Sequence, residues 1–211
     1  MNKYFTLLKS ILHNGELQKN KKGDIKFLIN QAISFNEQEL ISLFSEYKVA
    51  KQKLEIELDL YMQGEDDIVK YKDHGIHWWD YCLPKFIGSY PQYFKKLPKL
   101  IEKINIEKRN SKNYVLFIGD SEVETNQLPC LSLIQFQICN NKLDLTVYQR
   151  SADSNLGLPS DIYQMYVLSK KIDLPLNSIT FFIGNAHIYS NNIESTENVI
   201  NNQPYKFNLN T

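Results

Sequence analysis

The sequence predicts a single α+β domain, and three observations support this fold class. Up to about residue 106, apolar residues recur at the spacing of an α-helix. From residue 114 onward they alternate with polar residues over short segments, which indicates β-strands. No internal repeat or linker divides the 211 residues. One domain is therefore predicted over residues 1–211, with a short polar tail from about residue 196.

The helices of the first half are predicted from apolar faces and stop signals. In the segment 3–14 one face is apolar, and Asn14-Gly15 ends it. Two more helices are predicted over residues 37–48 and 50–63, the second of which closes at Gly64. A turn-rich aromatic stretch from Pro84 to Pro98 then leads into a helix that runs to about Ile106.

The second half contains strand-like segments that lie next to each other in the chain. These are YVLFIG from Tyr114, LSLIQFQI from Leu131 and KLDLTVYQ from Lys142, with Asn140-Asn141 as a hairpin turn between the last two. Antiparallel pairing of these two strands brings residue 130 close to residue 150. A helix from about Asp161 to Lys171 and a last strand, SITFFIGNAHIYS, complete the pattern.

Composition and charge exclude several classes of protein. Hydrophobic residues make up 43% and charged residues 23% of the chain, which is typical of a globular protein with a real core. The formal net charge is zero, so no nucleic acid partner is expected. No apolar run is long enough to cross a membrane, and no secretory signal is recognised. The three cysteines show no metal-ligand spacing, and they suit a reducing cytoplasm.

The stretch 147–166 collects the polar groups that a small-molecule site needs. A strand ends in Arg150-Ser151-Ala152-Asp153, a Gly-Leu-Pro turn follows, and Asp161 is predicted to open a helix. A cation, a hydroxyl and carboxylates at the end of a strand suit an anionic small molecule. Cys130 stands at the start of the paired strand. It is either a small core residue or a nucleophile, because an adjacent Arg150 would favour the thiolate.

Three further features have simpler explanations when they are taken alone. Glu57 in the middle of a helix is typical of a solvated surface charge. The segment QKNKKGD is either a solvated basic loop or an anion-binding loop. The cluster of His74, His77 and Asp80 has two histidines at i and i+3 without a third ligand, so no metal site is predicted.

Four motifs in register resemble the thymidylate synthase superfamily. They are PC at 129–130, YQRSAD at 148–153, LGLP at 156–159 and HIYSN at 187–191. Their order and spacing match along nearly the whole chain. The resemblance implies a thymidylate-synthase-like domain with a mixed β-sheet packed by helices, and a homodimer in which the sheets of two subunits pack against each other.

Within the superfamily the sequence resembles deoxycytidylate hydroxymethylase more than thymidylate synthase. The synthases carry Asn at the position of Asp161, where the side chain reads the edge of the pyrimidine. A carboxyl group accepts from the N4 amino group of cytosine and, when protonated, donates to N3. Leu131 also follows Cys130, where the synthases usually have His.

The resemblance implies a role for each candidate residue and names the cofactor as 5,10-methylenetetrahydrofolate. Cys130 is the nucleophile, Glu57 organises water and proton transfers, and Tyr90 lies near C5 of the base. Asp161 reads the base, and the sugar contacts are His187 and Tyr189. The phosphate contacts are Arg150, Ser151, Lys22 and Lys112, and the folate contacts are Trp79, Asp153 and Gly157. No metal is implied.

The sequence departs from the family pattern at two places that concern the substrate. The synthases send two adjacent arginines across the dimer interface to the phosphate, and Lys112-Asn113 stand in that register here. Around Tyr90 the glycine of the family is absent, and Pro91 follows the tyrosine. The first hypothesis is C5 hydroxymethylation of dCMP or CMP. The alternatives are methylation of dUMP, as in thymidylate synthase, and a non-catalytic homologue that binds a nucleotide.

Overall fold

The computed structural model describes residues 2–19, 23–120 and 122–207, and in this part of the chain seven strands form one mixed sheet. The α+β class with a mixed sheet packed by helices is therefore confirmed. The strands are β1 (Glu16–Gln18), β2 (Ile25–Phe35), β3 (Val115–Phe117), β4 (Leu131–Cys139), β5 (Lys142–Gln149), β6 (Ala152–Asp153) and β7 (Leu176–Tyr189). They are ordered β1-β2-β7-β5-β4-β3, and β6 pairs with β7. β5 and β6 run parallel to β7, whereas the other pairs are antiparallel.

The helices of the described residues pack against this sheet and against each other. They are α1 (Lys3–Asn14), α2 (Glu37–Glu46), α3 (Lys51–Gln63), α4 (Ile68–Asp73), α5 (Tyr90–Phe94), α6 (Leu97–Glu107), α7 (Gly157–Ser169) and α8 (Ile193–Ile200). None of the helices in the described residues is long and apolar enough to cross a bilayer.

The two faces of the sheet differ in the way that period-two alternation requires. One row of paired residues across five strands is buried: Leu116, Ile134, Val147, Phe181 and Ile33. The neighbouring row points to the opposite, outer face: Phe117, Leu133, Tyr148, Phe182 and Ala32. On this outer row Phe117 is 69% exposed. The alternating pattern of β4 and β5 thus separates a core face from an open apolar row.

The β4–β5 hairpin confirms the predicted pairing. Asn140 and Asn141 both have positive φ, of 51° and 58°, as a two-residue turn of this kind requires. At the other end of the hairpin, Leu131 pairs with Gln149, and the Arg150 N–H donates to the carbonyl of Cys130 at 2.9 Å. The hairpin therefore holds the nucleophile candidate beside the arginine.

One helix boundary differs from the sequence prediction. The helix predicted to open at Asp161 begins at Gly157. The prediction of a Gly-Leu-Pro turn before it is therefore wrong, because these residues form the first turn of α7. Proline is tolerated there because the N–H groups of the first turn have no partner within the helix. The polar segment predicted from about residue 196 starts inside α8, where Thr196 and Val199 are buried.

Candidate active site

Cys130 and Arg150 form the first part of the site, where β4 begins and β5 ends. The Arg150 side chain donates from Nε to the carbonyl of Pro129 and from Nη2 to that of Leu128, each at 3.0 Å. The neighbouring β7 carries Gly184, and a Cβ there would lie 2.8 Å from the Arg150 carbonyl. Gly184 thus allows β7 to approach this strand end. The guanidinium is exposed and anchored next to the cysteine.

Two tyrosines lie close to Cys130. The Cys130 N–H donates to the hydroxyl of Tyr90 at 2.8 Å, and Tyr90 is 6% exposed. Burial, followed by the charges of Cys130 and Asp161, raises the pKa of Tyr90. Burial, followed by the charges of Asp153 and Cys130, also raises the pKa of Tyr189. Both phenols are therefore neutral hydrogen-bonding groups at neutral pH.

Glu57 is not the solvated surface charge that its position in a helix suggested. It is 3% exposed, and four side chains donate to it. Oε1 accepts from Tyr61 Oη at 3.0 Å, from Trp78 Nε1 at 2.6 Å and from Trp79 Nε1. Oε2 accepts from Gln164 Nε2 at 2.7 Å. Burial raises the pKa of Glu57, whereas these four donors act in the opposite direction. A buried carboxyl with a raised pKa suits general acid–base chemistry.

Asp161 lies on α7 and faces Gln149 at the end of β5. Gln149 is completely buried, and its Nε2 donates to Oδ2 of Asp161 at 2.5 Å. Its own Oε1 is buried without a hydrogen-bond partner among the described residues. Burial and then the charge of Glu57 raise the pKa of Asp161 to about 7, while Gln149 opposes this shift. Both protonation states of Asp161 are therefore populated near neutral pH.

The raised pKa of Asp161 predicts a pH-dependent effect on stability. The folded state keeps a proton that the unfolded state loses above its ordinary pKa of 3.8, so this group destabilises the fold as pH rises towards 7. We expect Asp161→Asn to increase the free energy of unfolding by about 2–4 kcal/mol at pH 8 and by little at pH 4. Urea denaturation of both proteins at the two pH values measures this difference. An equal effect at both pH values would contradict it.

His187 and Asp153 form the opposite side of the site through the short strand β6. Asp153 pairs with His187, and the Ser154 N–H donates to the His187 carbonyl at 2.7 Å. Burial lowers the pKa of His187 to about 4, so this imidazole is neutral at neutral pH. Burial raises the pKa of Asp153 to about 6. The His187 ring packs against Tyr189 edge to face, with centroids 5.3 Å apart.

Most of the residues predicted for the site belong to this arrangement, and Lys112 does not. Ser151 follows Arg150 directly, and Gly157 begins α7 near Asp153. Trp79 directs its indole N–H to Glu57. Lys112 is exposed, and its carbonyl accepts from Gln135 in the middle of β4, on the outer face of the sheet. Lys22 lies outside the described residues.

The sequence reasoning missed four residues that hold the two carboxylates. They are Tyr61, Trp78, Gln149 and Gln164. Gln149 could have been found, because period-two alternation puts it on the same face as Leu145 and Val147, where a polar residue needs a partner. No comparable signal marks Tyr61 or Trp78. No three His, Cys, Asp or Glu side chains of the described ranges are grouped in a way that could hold a metal ion.

The chain matches the model of a protein family described as thymidylate synthase. The match spans residues 2–210, which is nearly the whole chain.

Proposed function

The chain belongs to the thymidylate synthase family, which transfers one-carbon units from folate to pyrimidine nucleotides, and from this we propose that it is a C5 hydroxymethyltransferase acting on dCMP or CMP. Water would complete the reaction, and 5,10-methylenetetrahydrofolate would supply the one-carbon unit. The product would be the 5-hydroxymethyl nucleotide.

The observation that carries this proposal is the carboxyl group of Asp161. Its Oδ2 is occupied by Gln149, which leaves Oδ1 for the base. As an ionised group it accepts from the N4 amino group of cytosine and repels O4 of uracil. As a protonated group, with the proton on Oδ1, it donates to N3 of cytosine instead. A pKa raised to about 7 makes both states accessible, and both suit cytosine.

Cys130 is proposed as the nucleophile. Its thiolate adds to C6 of the pyrimidine, which makes C5 nucleophilic, and C5 then takes up the one-carbon unit. Loss of the C5 proton and of tetrahydrofolate from this adduct leaves an exocyclic methylene at C5. Water adds to the methylene and releases a proton, and elimination of the Cys130 thiolate from C6 restores the aromatic ring. A guanidinium held beside Cys130 would favour the thiolate electrostatically, and the hydroxyl of Tyr90 accepts from the backbone N–H of Cys130.

Glu57 is proposed to direct water and protons. Its burial raises its pKa above that of a solvated glutamate, which supports a group that holds and transfers a proton. Arg150 and Ser151 would bind the phosphate, with Lys22 as a further cation. His187 is neutral and lies beside Tyr189, so both can exchange hydrogen bonds with a sugar hydroxyl.

The residues near the start of α7 fit a folate ring. Gly157 has no side chain, and a Cβ there would meet only the Cβ of Asp153, at 3.8 Å. The lack of a side chain at Gly157 would let a flat ring come close to Asp153. Asp153, with its pKa raised to about 6, can accept from or donate to a ring nitrogen. Trp79 would contribute to the wall between this ring and Glu57.

Methylation of a uracil nucleotide is the second candidate, and one observation favours it. When Asp161 is protonated on Oδ1, its hydroxyl can donate to O4 of uracil. A pKa near 7 leaves this state populated. A non-catalytic nucleotide-binding protein is a third reading, which Lys112-Asn113 in place of two arginines would suit.

One assay separates these functions. The protein is incubated with methylenetetrahydrofolate and with dCMP, CMP or dUMP tritiated at C5, and both tritium release and product mass are measured. We expect release from a cytidylate and a product heavier by one hydroxymethyl group. Release from dUMP alone with a methyl product would support the second candidate. Nucleotide binding without any release would support the third.

A homodimer is proposed from the open outer row of the sheet. The row Phe117, Leu133, Tyr148, Phe182 and Ala32 crosses five strands, and its aromatic members are 43–69% exposed. Contiguous apolar surface of this kind is typical of an interface. Lys112 lies towards the same face, so it could reach a phosphate only in a partner subunit.

The homodimer predicts a mass of about twice the 24.7 kDa of the chain in light scattering after gel filtration. Phe182→Glu places a charge in the centre of the row and should weaken the dimer by about 100-fold or more, because the charge would be buried without a partner. Ile106→Glu is the matched control, since Ile106 is 75% exposed on α6 and away from the row. A monomeric wild-type protein would contradict the proposal.

A further inference from the structure

Gln164 donates to one of the two buried carboxylates of the site, Glu57, and lies on the same helix as the other, Asp161, although no motif identified it. It lies on α7 one turn after Asp161 and is 3% exposed. Its Nε2 donates to Oε2 of Glu57 at 2.7 Å and to the carbonyl of Leu54 at 3.1 Å. Both N–H groups of the amide are therefore used on α3, the helix that carries Glu57.

The two oxygens of Glu57 have unequal surroundings. Oε1 accepts from Tyr61, Trp78 and Trp79, so its lone pairs are occupied. Oε2 accepts only from Gln164 among the described residues. A proton or a water molecule can therefore approach Glu57 only at Oε2. Gln164 is the side chain that sets the direction of this oxygen.

We propose that Gln164 is a positioning residue that aims Oε2 of Glu57 at the reacting water from the same helix that presents Asp161 to the base. This inference rests on the proposed function, because it concerns the part that Glu57 plays there. Because Asp161 and Gln164 lie on the same helix, a shift of α7 on binding of the correct base would move both side chains together. Recognition of the base by Asp161 would then also change the position of Glu57 for proton transfer.

The titratable groups that face Glu57 come from three elements. Tyr61 belongs to its own helix α3, Tyr71 to α4 and Asp161 to α7. Burial raises the pKa of both tyrosines, so they stay neutral, and Asp161 is the group among these three that changes charge near pH 7. A donor to Oε2 stabilises the ionised form of Glu57. Loss of the Gln164 amide should therefore raise the pKa of Glu57.

The test uses the full-length protein labelled with ¹³C at the glutamate carboxyl carbon, with Glu57→Gln to assign the signal of Glu57. Gln164→Met keeps the size of the side chain and removes the donor. We expect its Glu57 titration midpoint to rise by about one pH unit. One limb of the kcat–pH profile should reflect the ionisation of Glu57 and should be absent in Glu57→Gln. In Gln164→Met the midpoint of this limb should rise by the same amount as the titration midpoint, and kcat should fall about tenfold with little change in KM. Gln63→Met, at an exposed position on α3, is the matched control.

Gln164→Asn is a second variant, which keeps an amide but is too short to bridge both acceptors. It should shift the midpoint in the same direction. An unchanged midpoint in Gln164→Met would overturn the proposal, and so would a failure of both variants to fold, which would make Gln164 a structural residue. If the wild-type protein does not turn over any pyrimidine nucleotide, the proposed function fails. The carboxyl titration still decides whether Gln164 controls Glu57.

Discussion

Cys130→Ser should abolish turnover, with a loss in kcat on the order of 10⁴-fold or more. The reason is that loss of the nucleophile removes the whole covalent pathway, whereas most substitutions remove only one contact. Nucleotide affinity should change only a few-fold, since Arg150, Ser151 and Asp161 are untouched. Tritium release from C5 of cytidylate measures the first effect, and calorimetric titration with the nucleotide measures the second.

The matched control for this variant is Cys139→Ser, because Cys139 is exposed at the far end of the same strand. It should retain full activity. A covalent complex can also be sought by mass spectrometry under denaturing conditions, with a cytidylate that carries fluorine at C5, where the proton would normally leave. The adduct should form with the wild-type protein and be absent in Cys130→Ser. Activity above a tenth of the wild-type level in Cys130→Ser would contradict a nucleophilic role.

Asp161→Asn should move base preference from cytosine to uracil, by about 10- to 100-fold in the ratio of kcat/KM values. Gln149 Nε2 needs an acceptor, so the oxygen of the new amide should stay on Gln149 and its NH₂ group should replace Oδ1. An NH₂ group at that point faces the N4 amino group of cytosine donor to donor. It can donate to O4 of uracil.

Competition between dCMP and dUMP in one reaction measures this ratio directly. Asp144→Asn is the control, because Asp144 makes its hydrogen bonds to Asn177 and Ser178 in the sheet, away from the site. It should leave the ratio unchanged. If Asp161→Asn keeps the wild-type preference for cytosine, Asp161 does not read the base, and the proposed substrate loses its main support.

Much of the fold could be predicted because its signals are local. Apolar spacing identified α1, α2 and α3 nearly to the residue, and period-two alternation with Asn140-Asn141 identified the β4–β5 hairpin and its register. The boundary of α7 was misplaced because Gly-Leu-Pro is compatible both with a turn and with a first helical turn. Burial of Leu158 and Pro159 against the core decides for the helix.

By itself, the sequence determined the class of fold, the pairing that brings Cys130 to Arg150, and the family to which these motifs belong. Only the tertiary structure decided the burial and the protonation behaviour of Glu57 and Asp161. Glu57 looked like a surface charge until Trp78, Trp79 and Gln164, the last of them 107 residues away, enclosed it. The pKa of Asp161 rises to about 7 through burial and the charge of Glu57. The spacing of residues along a chain determines which helices, strands and hairpins can form locally. The pKa of a buried group depends on desolvation and nearby charges, which come from segments that only folding brings together.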